Sequence, residues 1–227
     1  MSTIAIITAR GGSKRIPRKN IKMFAGKPML QYAVEAALQS GIFDEIMVST
    51  EDEEIAQVAR ECGAQVPFLR SEETANDYAT TCDVLKEVIT EYHKLGRMFD
   101  TLCCIYPCVP FLTADILRKA WQQMGEHNAI FPVCSYPVPI EWAHELDENG
   151  VLYCRDKKAC NTRSQDLKKC YYDAGMFYFC KTEILLSLYT LCPDDTLGYV
   201  ISENECQDID TPEDWEMAEL KYRFSRR

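Results

Sequence analysis

The first 22 residues constrain the fold more strongly than any other part of the chain. Residues 4–8 are apolar or β-branched (Ile-Ala-Ile-Ile-Thr), and residues 10–13 then interrupt this run with Arg-Gly-Gly-Ser. An apolar run of this length is too short for a buried helix, but it suits a central strand of a parallel sheet. The two glycines mark a turn directly after it. The sequence therefore predicts a buried strand that leads into a glycine-rich loop.

Residues 10–22, named the basic loop here, also concentrate positive charge. The chain carries 25 Lys and Arg against 35 Asp and Glu, a net charge of −10. Nevertheless, seven basic residues precede Glu35, the first acidic one: Arg10, Lys14, Arg15, Arg18, Lys19, Lys22 and Lys27. Because glycine lets backbone N–H groups approach an anion, the loop is typical of a polyphosphate site. A solvated basic turn is the alternative. The spacing matches neither the P-loop nor the dinucleotide motif.

Strand and helix patterns alternate along the rest of the chain. Apolar runs predict strands at 45–50, 102–106, 129–135, 171–179 and 197–202. Helical spacing of apolar residues predicts helices from 28 to 40 and at 52–62, 80–95, 113–124 and 181–190. This order predicts an α/β fold, a Rossmann-like and mostly parallel sheet flanked by helices. Ligands of such sheets bind beyond the carboxyl ends of the strands. We expect a single domain over residues 1–227.

Residues 137–161, named the excursion here, depart from this alternation. They contain Pro137, Pro139, Trp142 and the turn Asp-Glu-Asn-Gly at 147–150. Such a composition predicts a hairpin-like segment outside the main sheet. It would serve as a lid or a subunit contact, or be a plain surface insertion.

Composition excludes several protein classes. With 47% hydrophobic and 26% charged residues and no apolar run of membrane-spanning length, we expect a cytoplasmic protein that binds no membrane. A net negative charge with one isolated basic loop disfavours nucleic-acid binding.

The twelve cysteines form no C-x-x-C pair, and Cys103, Cys104, Cys134 and Cys180 lie in strand-like runs. This distribution predicts buried, reduced thiols rather than disulfides or zinc ligands.

A second chemical signal lies near the carboxyl end of the chain. Thr211 and Pro212 predict the start of a helix, and Asp208 and Asp210 flank Ile209 in the extended stretch before it. Residues two apart in an extended stretch share a face, so both carboxylates point the same way while Ile209 points into the core. A hard divalent cation, Mg²⁺ or Mn²⁺, would offset their repulsion. Solvated strand-end acids are the alternative. Together with the basic loop, the pair favours chemistry on a nucleoside triphosphate.

Seven segments together resemble the CMP-sialic acid synthetases, the acylneuraminate cytidylyltransferases. They span residues 9–20, 26–28, 66–70, 106–111, 163–167, 172–175 and 208–211, in the order found in that family. The first is long and specific, whereas the later ones are short and matter through their order. Within the family, Arg-Ser-Gln-Asp-Leu at 163–167 and Asp-Ala-Gly at 173–175 are most similar to the pseudaminic acid cytidylyltransferases.

The resemblance implies roles for individual residues. It implies that Arg10 and Lys19 contact the triphosphate and, with Asp210, carry catalysis. The nucleotide would be bound by Arg10, Gly11, Gly12, Ser13, Asn20 and Arg70. Asp208 and Asp210 match the metal ligands. The sugar acid would be faced by Arg163, Gln165, Asp173 and Phe177, and a planar guanidinium at position 163 suits a carboxylate.

The implied reaction is transfer of CMP from CTP to the anomeric hydroxyl of a nine-carbon keto-sugar acid, with Mg²⁺ or Mn²⁺ and release of pyrophosphate. Pseudaminic acid is the first candidate acceptor, and legionaminic and N-acetylneuraminic acids are alternatives. The general base is left open between Asp210 and a hydroxyl on the metal. A sugar 1-phosphate nucleotidylyltransferase and a non-catalytic nucleotide-binding domain are the rival functions. The excursion and the resemblance together suggest a homodimer.

Overall fold

A computed structural model describes residues 1–225 of the chain. Its strands are β1 (Thr3–Thr8), β2 (Met23–Phe24), β3 (Lys27–Pro28), β4 (Glu45–Ser49), β5 (Thr101–Ile105), β6 (Ala129–Ser135), β7 (His144–Leu146), β8 (Leu152–Cys154), β9 (Tyr171–Asp173), β10 (Phe177–Lys181) and β11 (Thr196–Val200). Its α-helices are α1 (Met29–Ser40), α2 (Glu53–Glu61), α3 (Glu72–Ala75), α4 (Thr81–Lys94), α5 (Ala114–Met124), α6 (Thr182–Leu188) and α7 (Pro212–Ser225). None of these helices is both long and apolar enough to cross a bilayer.

Among the described residues, seven strands form the central sheet. Six lie in the order β11-β6-β10-β5-β1-β4, and β9 pairs with β6. β1 is parallel to β4 and β5, and β11 is parallel to β6, whereas β9 and β10 are antiparallel to their neighbours. Five of the seven strands therefore run in one direction, which confirms the expected mostly parallel α/β sheet. Residues 4–7 of β1 are fully buried, as a strand covered on both faces requires.

The aromatic segment 171–179 differs from the single strand expected of it. Gly175 adopts a left-handed conformation with φ 62°, and its N–H donates to the carboxylate of Asp173 at 2.8 Å. This bend divides the segment into two strands. β9 pairs with residues 133–135 of β6, and β10 lies between β5 and β6. Residues 65–70 form a short connecting segment, in which Gln65 makes an isolated bridge to Met47 of β4.

Within residues 1–225, three groups of buried side chains hold the elements together, and one of them was not expected from the sequence. Two groups cover the two faces of the sheet. The third lies under the basic loop and contains Ile16, Phe24, Met29, Tyr32, Phe111, Ile209, Trp215, Ala218 and Tyr222. Its rings meet edge to face, with Phe24 and Trp215 centroids 5.4 Å apart. It therefore packs the basic loop, the Asp208–Asp210 stretch and α7 against one another.

The excursion forms a separate hairpin. Among the described residues, β7 and β8 pair only with each other, with His144 opposite Cys154. Ala159 is the single buried residue between positions 137 and 161. The hairpin was expected, and it contributes almost nothing to the core of its own chain.

The expectation that all cysteines are reduced thiols is wrong for one pair. Cys154 of β8 and Cys160, in the short turn that follows, are joined by a disulfide. Their spacing of six residues matches no common pattern, and only the turn brings them together. The four cysteines expected to be buried are free and fully buried. Burial raises the pKa of the Cys104 and Cys180 thiols to about 12, which keeps both protonated.

Candidate functional site

A cavity of about 640 Å³ lies beyond the carboxyl ends of β1 and β5, where the parallel sheet was expected to bind its ligand. Thr8, at the end of β1, and Tyr106, directly after β5, line its floor. Its wall includes most of the predicted nucleotide and metal residues: Arg10, Ser13, Lys19, Asn20, Arg70, Asp208 and Asp210. Residues that are far apart in sequence therefore meet at one edge of the sheet.

Five cations of the basic loop are each paired with an acid: Arg10, Lys14, Arg15, Arg18 and Lys19. Arg10 and Lys14 both contact Asp77, at 2.8 and 2.6 Å between nitrogen and carboxylate oxygen. Arg15 contacts Asp210 at 2.7 Å. The two cations beside it hold the pKa of Asp77 below its usual value, chiefly through the hydrogen bond from Lys14. The cavity thus holds cations whose present partners are exposed carboxylates, which a polyanion could replace.

Buried hydrogen bonds fix the two ends of the basic loop. The side chain of Asn20, which is 5% exposed, donates to the backbone carbonyl of Arg10 at 2.8 Å. The ammonium group of Lys19 donates to the carbonyl of Ile209 at 2.6 Å and lies 3.5 Å from the carboxylate of Asp210. The thiol of Cys108 donates to Asn20 at 3.3 Å. Asn20 and Lys19 therefore connect the loop to itself and to the Asp208–Asp210 stretch.

The three residues at the turn of the loop differ in their surroundings. The N–H of Gly11 donates to the carboxylate of Glu51 at 2.7 Å, and that of Ser13 donates to the carbonyl of Gly11 at 3.0 Å. A Cβ atom at Gly11 would lie 2.7 Å from Asp52, whereas one at Gly12 would meet nothing within 4 Å. Gly11 is therefore required by close packing, and Gly12 is open to the solvent or to a ligand. Of the three, only Ser13 lines the cavity.

Among residues 1–225, Arg70 is the one arginine of the cavity wall that is buried. It is 8% exposed and donates from Nε to the Ser49 hydroxyl at 3.0 Å and from a terminal nitrogen to the Ser49 carbonyl at 2.7 Å. Burial lowers the pKa of Arg70, but a guanidinium stays charged. These bonds hold a fixed positive charge at the end of β4.

The Asp208–Asp210 stretch has the alternation expected from the sequence. Ile209 is 1% exposed and packs in the third core group, and both flanking carboxylates line the cavity. The carboxylate of Asp214 accepts from the N–H groups of Asp210 and Thr211 at 3.0 and 2.8 Å. These bonds hold the pKa of Asp214 below its usual value. Two oxygen-ligand residues are thus held at the start of α7, a set that suits a divalent cation shared with phosphates.

A second cavity, of about 500 Å³, adjoins the first and shares Tyr106, Gly175 and Asp208 with it. Asp173 lines this cavity, and its carboxylate accepts from the hydroxyl of Tyr178 at 2.8 Å. Burial and the neighbouring Tyr106 raise the pKa of Tyr178, so its hydroxyl remains a donor. Lys221 of α7 also lines the cavity.

Three of the four residues expected to face the sugar acid lie elsewhere. Phe177 is fully buried in β10 and offers no surface to a ligand. Arg163 and Gln165 are exposed and line neither cavity, and Arg163 pairs with Asp166 at 2.9 Å. An aromatic side chain on a strand that is covered on both faces is buried in the core, which explains the position of Phe177. Of the four residues expected to face the sugar acid, Asp173 alone lines a cavity of its own chain.

The structure adds wall residues that the sequence did not single out. Lys14 and Arg15 belong to the basic loop, so their charge was a usable signal. Asp77 lies in a polar segment between helices α3 and α4, and Lys221 is one of several charged residues on α7. Nothing local distinguishes these two, because their position depends on tertiary packing.

Comparisons with known proteins agree with this geometry. A family model described as cytidylyltransferase matches residues 4–199. The chain is 40% identical to the pseudaminic acid cytidylyltransferase of Campylobacter jejuni, over 99% of this chain and 98% of that one. It is 29% identical to the CMP-N,N'-diacetyllegionaminic acid synthase of Legionella pneumophila, over 96% and 95%. A solved structure of CMP:2-keto-3-deoxy-manno-octonic acid synthetase complexed with CTP shares the fold, with a TM-score of 0.71, 17% identity and coverage of 100% and 99%.

The family match covers well over half of the chain, and the relative from Campylobacter exceeds 30% identity over nearly its full length. The residues that line the first cavity between Thr8 and Gly175 fall within the matched range, and those at 208–210 lie just beyond it. The chain belongs to the cytidylyltransferase family.

Proposed function

We propose that this chain transfers CMP from CTP to the anomeric hydroxyl of a nine-carbon keto-sugar acid, and that the acceptor is pseudaminic acid. The observation that carries the proposal is one cavity that joins five cationic side chains to the carboxylates of Asp208 and Asp210. Such a site compensates the charge of a triphosphate and of the pyrophosphate that leaves it. The choice of acceptor is supported by the 40% identity with the Campylobacter enzyme.

The triphosphate would bind by an exchange of partners. Arg10 and Lys14 share the exposed carboxylate of Asp77, and a polyphosphate offers both cations more negative charge than one carboxylate does. Lys19 and Arg70 are held by backbone carbonyls, so they would bind without losing an acidic partner other than Asp210. The N–H of Gly12 and the side chain of Ser13 would approach the phosphates at the turn of the loop. We expect the reaction in the cytoplasm, because CTP is a cytoplasmic metabolite.

The carboxylates of Asp208 and Asp210 would hold Mg²⁺ or Mn²⁺. The donor set fits, because Mg²⁺ is commonly held by one or two carboxylates together with substrate phosphates and water. The bound ion would supply positive charge that offsets the charge of the phosphates. Asp210 is paired with Arg15 and Lys19 in the free chain, so nucleotide binding would draw both cations to the phosphates and release the carboxylate.

The acceptor would occupy the second cavity. Its boundary with the first is formed by Tyr106, Gly175 and Asp208, so a hydroxyl there lies next to the phosphate-binding residues. Asp173 would accept hydrogen bonds from the sugar, and Lys221 would attract its carboxylate. The hydroxyl oxygen attacks the α-phosphorus, the bond from that phosphorus to the bridging oxygen breaks, and pyrophosphate leaves with the electron pair. The hydroxyl proton passes to a base, for which Asp210 is the candidate side chain.

We also propose that the chain forms a homodimer through the excursion. Six large apolar residues of this segment are each at least 43% exposed: Val138, Ile140, Leu146, Val151, Leu152 and Tyr153. A hairpin that leaves this much apolar surface in water is typical of an interface. A partner chain would also explain how Arg163 and Gln165, which line neither cavity of their own chain, could contribute to substrate binding.

Sedimentation tests the dimer proposal directly. We expect the wild-type chain to sediment as a dimer at micromolar concentration, and Leu146→Asp in β7 to sediment as a monomer. Leu188→Asp is the matched control, because Leu188 is 58% exposed but lies at the end of α6. A monomeric wild type, or equal dissociation in both variants, would contradict an interface at the excursion.

The transfer reaction is tested by pyrophosphate release from CTP and Mg²⁺ with a panel of acceptors. The panel contains pseudaminic, legionaminic and N-acetylneuraminic acids, the eight-carbon acid KDO, and glucose 1-phosphate. We expect release with pseudaminic acid at the highest kcat/KM. Release with glucose 1-phosphate alone would support a sugar 1-phosphate nucleotidylyltransferase instead. Bound CTP without release for any acceptor would support a non-catalytic nucleotide-binding domain.

A further inference from the structure

The base of the hairpin brings together three side chains that the transfer reaction does not use. His144 lies in β7, Cys154 lies opposite it in β8, and Cys160 lies in the short turn Ala159–Asn161. Their potential ligand atoms all lie within 4.8 Å of one another. Among residues 1–225, this is the one group of at least three His, Cys, Asp or Glu side chains with that property.

Hydrogen bonds of the backbone and side chains hold the three residues in place. The carboxylate of Asp156 accepts from the N–H groups of Lys158 and Ala159 at 2.9 Å, and the N–H of Cys160 donates to the Asp156 carbonyl at 2.9 Å. The indole N–H of Trp142 donates to the carbonyl of Ala159 at 3.1 Å. The Asp156 bonds fix the turn that carries Cys160, and the Trp142 bond ties that turn to the segment directly before the strand that carries His144.

The hydrogen bond of His144 selects a tautomer of the imidazole that can bind a metal ion. Nδ1 of His144 lies 2.7 Å from the backbone carbonyl of Trp142. A carbonyl only accepts, so Nδ1 carries the proton and Nε2 carries the free lone pair. A ring nitrogen that donates to a backbone carbonyl while the other binds the ion is the usual arrangement of metal-bound histidines.

We propose that the reduced hairpin binds one Zn²⁺ ion through the thiolates of Cys154 and Cys160 and the imidazole of His144, with water as the fourth ligand. Two thiolates and one imidazole are the donors that zinc prefers. This site is separate from the carboxylates of Asp208 and Asp210, and it does not depend on the proposed transfer reaction.

The disulfide between Cys154 and Cys160 is the oxidised alternative to the metal site. Two molecules of a small thiol, such as a cellular glutathione-type reductant, transfer two electrons and two protons to this bond and become a disulfide themselves. The hairpin then carries two free thiols. Binding of Zn²⁺ forms two zinc–sulfur bonds and releases the two thiol protons. In a reducing compartment the metal-bound form is therefore the one expected.

A cross-link at this place has a physical reason. The hairpin buries only Ala159 of its own side chains, so apolar burial contributes little to its stability. Small segments without a core are commonly stabilised by a disulfide or a metal ion. A disulfide alone would use both cysteines but would leave the placement of His144 opposite Cys154 without a role.

Metal binding by the full, reduced chain tests the proposal. The protein is reduced with a phosphine, freed of metal, and titrated with Zn²⁺ against a chromophoric chelator in excess Mg²⁺, which occupies hard oxygen sites. Co²⁺ is used in parallel, because thiolate ligands give it a charge-transfer absorption. We expect one Zn²⁺ per chain and affinities more than ~100-fold weaker in Cys154→Ser, Cys160→Ser and His144→Ala. Cys192→Ser, which removes an exposed thiol far along the chain, should bind like the wild type.

Two results would overturn the proposal. One is a reduced wild type that binds less than one Zn²⁺ per chain, or binds it without the thiolate absorption of its Co²⁺ form. The other is His144→Ala with wild-type affinity, which would remove the imidazole from the site. Far-ultraviolet circular dichroism of the metal-free variants serves as the folding control. We expect it to match the wild type, because the hairpin contributes so little to the core.

Discussion

The basic loop and the excursion are both irregular segments that leave the sheet, yet they are stabilised in opposite ways. The basic loop is anchored by the buried side chains of Ile16 and Asn20, at 2% and 5% exposure, and its Arg10 and Arg15 have carboxylate partners within the same chain. The excursion has one buried residue, Ala159, and exposes six large apolar side chains. Its contacts are mostly internal to the hairpin.

This difference indicates where each segment finds its function. The conformation of the basic loop is fixed before a ligand binds, because the third core group packs against the loop. A polyanion would only have to replace exposed carboxylates as partners of its cations. We propose that the excursion is stabilised from outside the chain, by a second copy of the chain and by a metal ion. Truncation, charge removal and packing changes in the two segments should therefore have very different effects.

The largest expected difference concerns the aromatic support of the loop. Trp215 is 5% exposed, its ring lies 5.4 Å from Phe24, and the ammonium of Lys22 lies 4.5 Å from its ring centre. Trp215→Ala should lower the free energy of unfolding by about 3–5 kcal/mol, measured by urea denaturation. Tyr153→Ala in the excursion is the matched truncation, because Tyr153 is 54% exposed. In dilute protein it should change that energy by less than about 0.5 kcal/mol. Equal losses of unfolding free energy in the two variants would mean that the excursion is packed as tightly as the aromatic residues beneath the basic loop.

The next effect concerns turnover. Asp210→Asn removes a carboxylate that faces the cavity and pairs with Arg15 and Lys19. We expect kcat to fall by on the order of 10²-fold or more, because charge compensation at the phosphates is lost. CTP binding should persist in part, as isothermal titration calorimetry would show. Asp194→Asn, an exposed acid outside both cavities, is the control. Unchanged turnover in Asp210→Asn would remove this residue from the catalytic site.

A smaller effect separates the two glycines of the turn. Gly11→Ala would place a methyl group 2.7 Å from Asp52, which caps α2 and is held by Arg18. We expect a loss of unfolding free energy of about 1–3 kcal/mol. Gly12→Ala meets no atom within 4 Å and should be neutral for stability. Because the N–H of Gly12 is proposed to approach the phosphates, the same variant should instead raise the KM for CTP. Equal destabilisation by both variants would contradict the described packing.

The smallest effect is a dependence on pH. The pKa of Asp77 is lowered in the folded chain, first by the hydrogen bond from Lys14. A lowered pKa of Asp77 stabilises the fold at pH values above the pKa of this carboxyl in the unfolded chain, ~3.9. The contribution disappears as the pH falls through the pKa of Asp77 in the folded chain. Asp77→Asn should therefore lose slightly less stability than the wild type between pH 5 and pH 3, as urea denaturation at each pH would show. Identical pH profiles would mean that the contact with Lys14 is not maintained in solution.

The sequence predicted most of the basic loop and its surroundings because their signals are local. A buried run of residues 4–7, two glycines and a cluster of cations identified β1 and the loop, and alternation identified the pair of carboxylates around Ile209. The sheet followed from the order of strands and helices. Neighbouring residues in the chain determined each of these features.

The remaining features depend on contacts between distant segments. Phe177 matched a substrate position by resemblance, but its place between β5 and β6 makes it part of the core. Asp77 and Lys221 carry no local signal, since folding alone brings them to the cavities. The disulfide between Cys154 and Cys160 depends on a turn that no pattern in the sequence marks.

Phosphorus NMR of CTP, Mg²⁺ and pseudaminic acid with the purified chain is the most direct test of CMP transfer. We expect the triphosphate signals of CTP to disappear while a phosphodiester signal and a pyrophosphate signal grow with integrated intensities of one to two, because the two products form in equal amounts and pyrophosphate carries two phosphorus atoms. Release of inorganic phosphate with CDP, or unchanged CTP in the presence of every keto-sugar acid, would contradict transfer of CMP by this cavity.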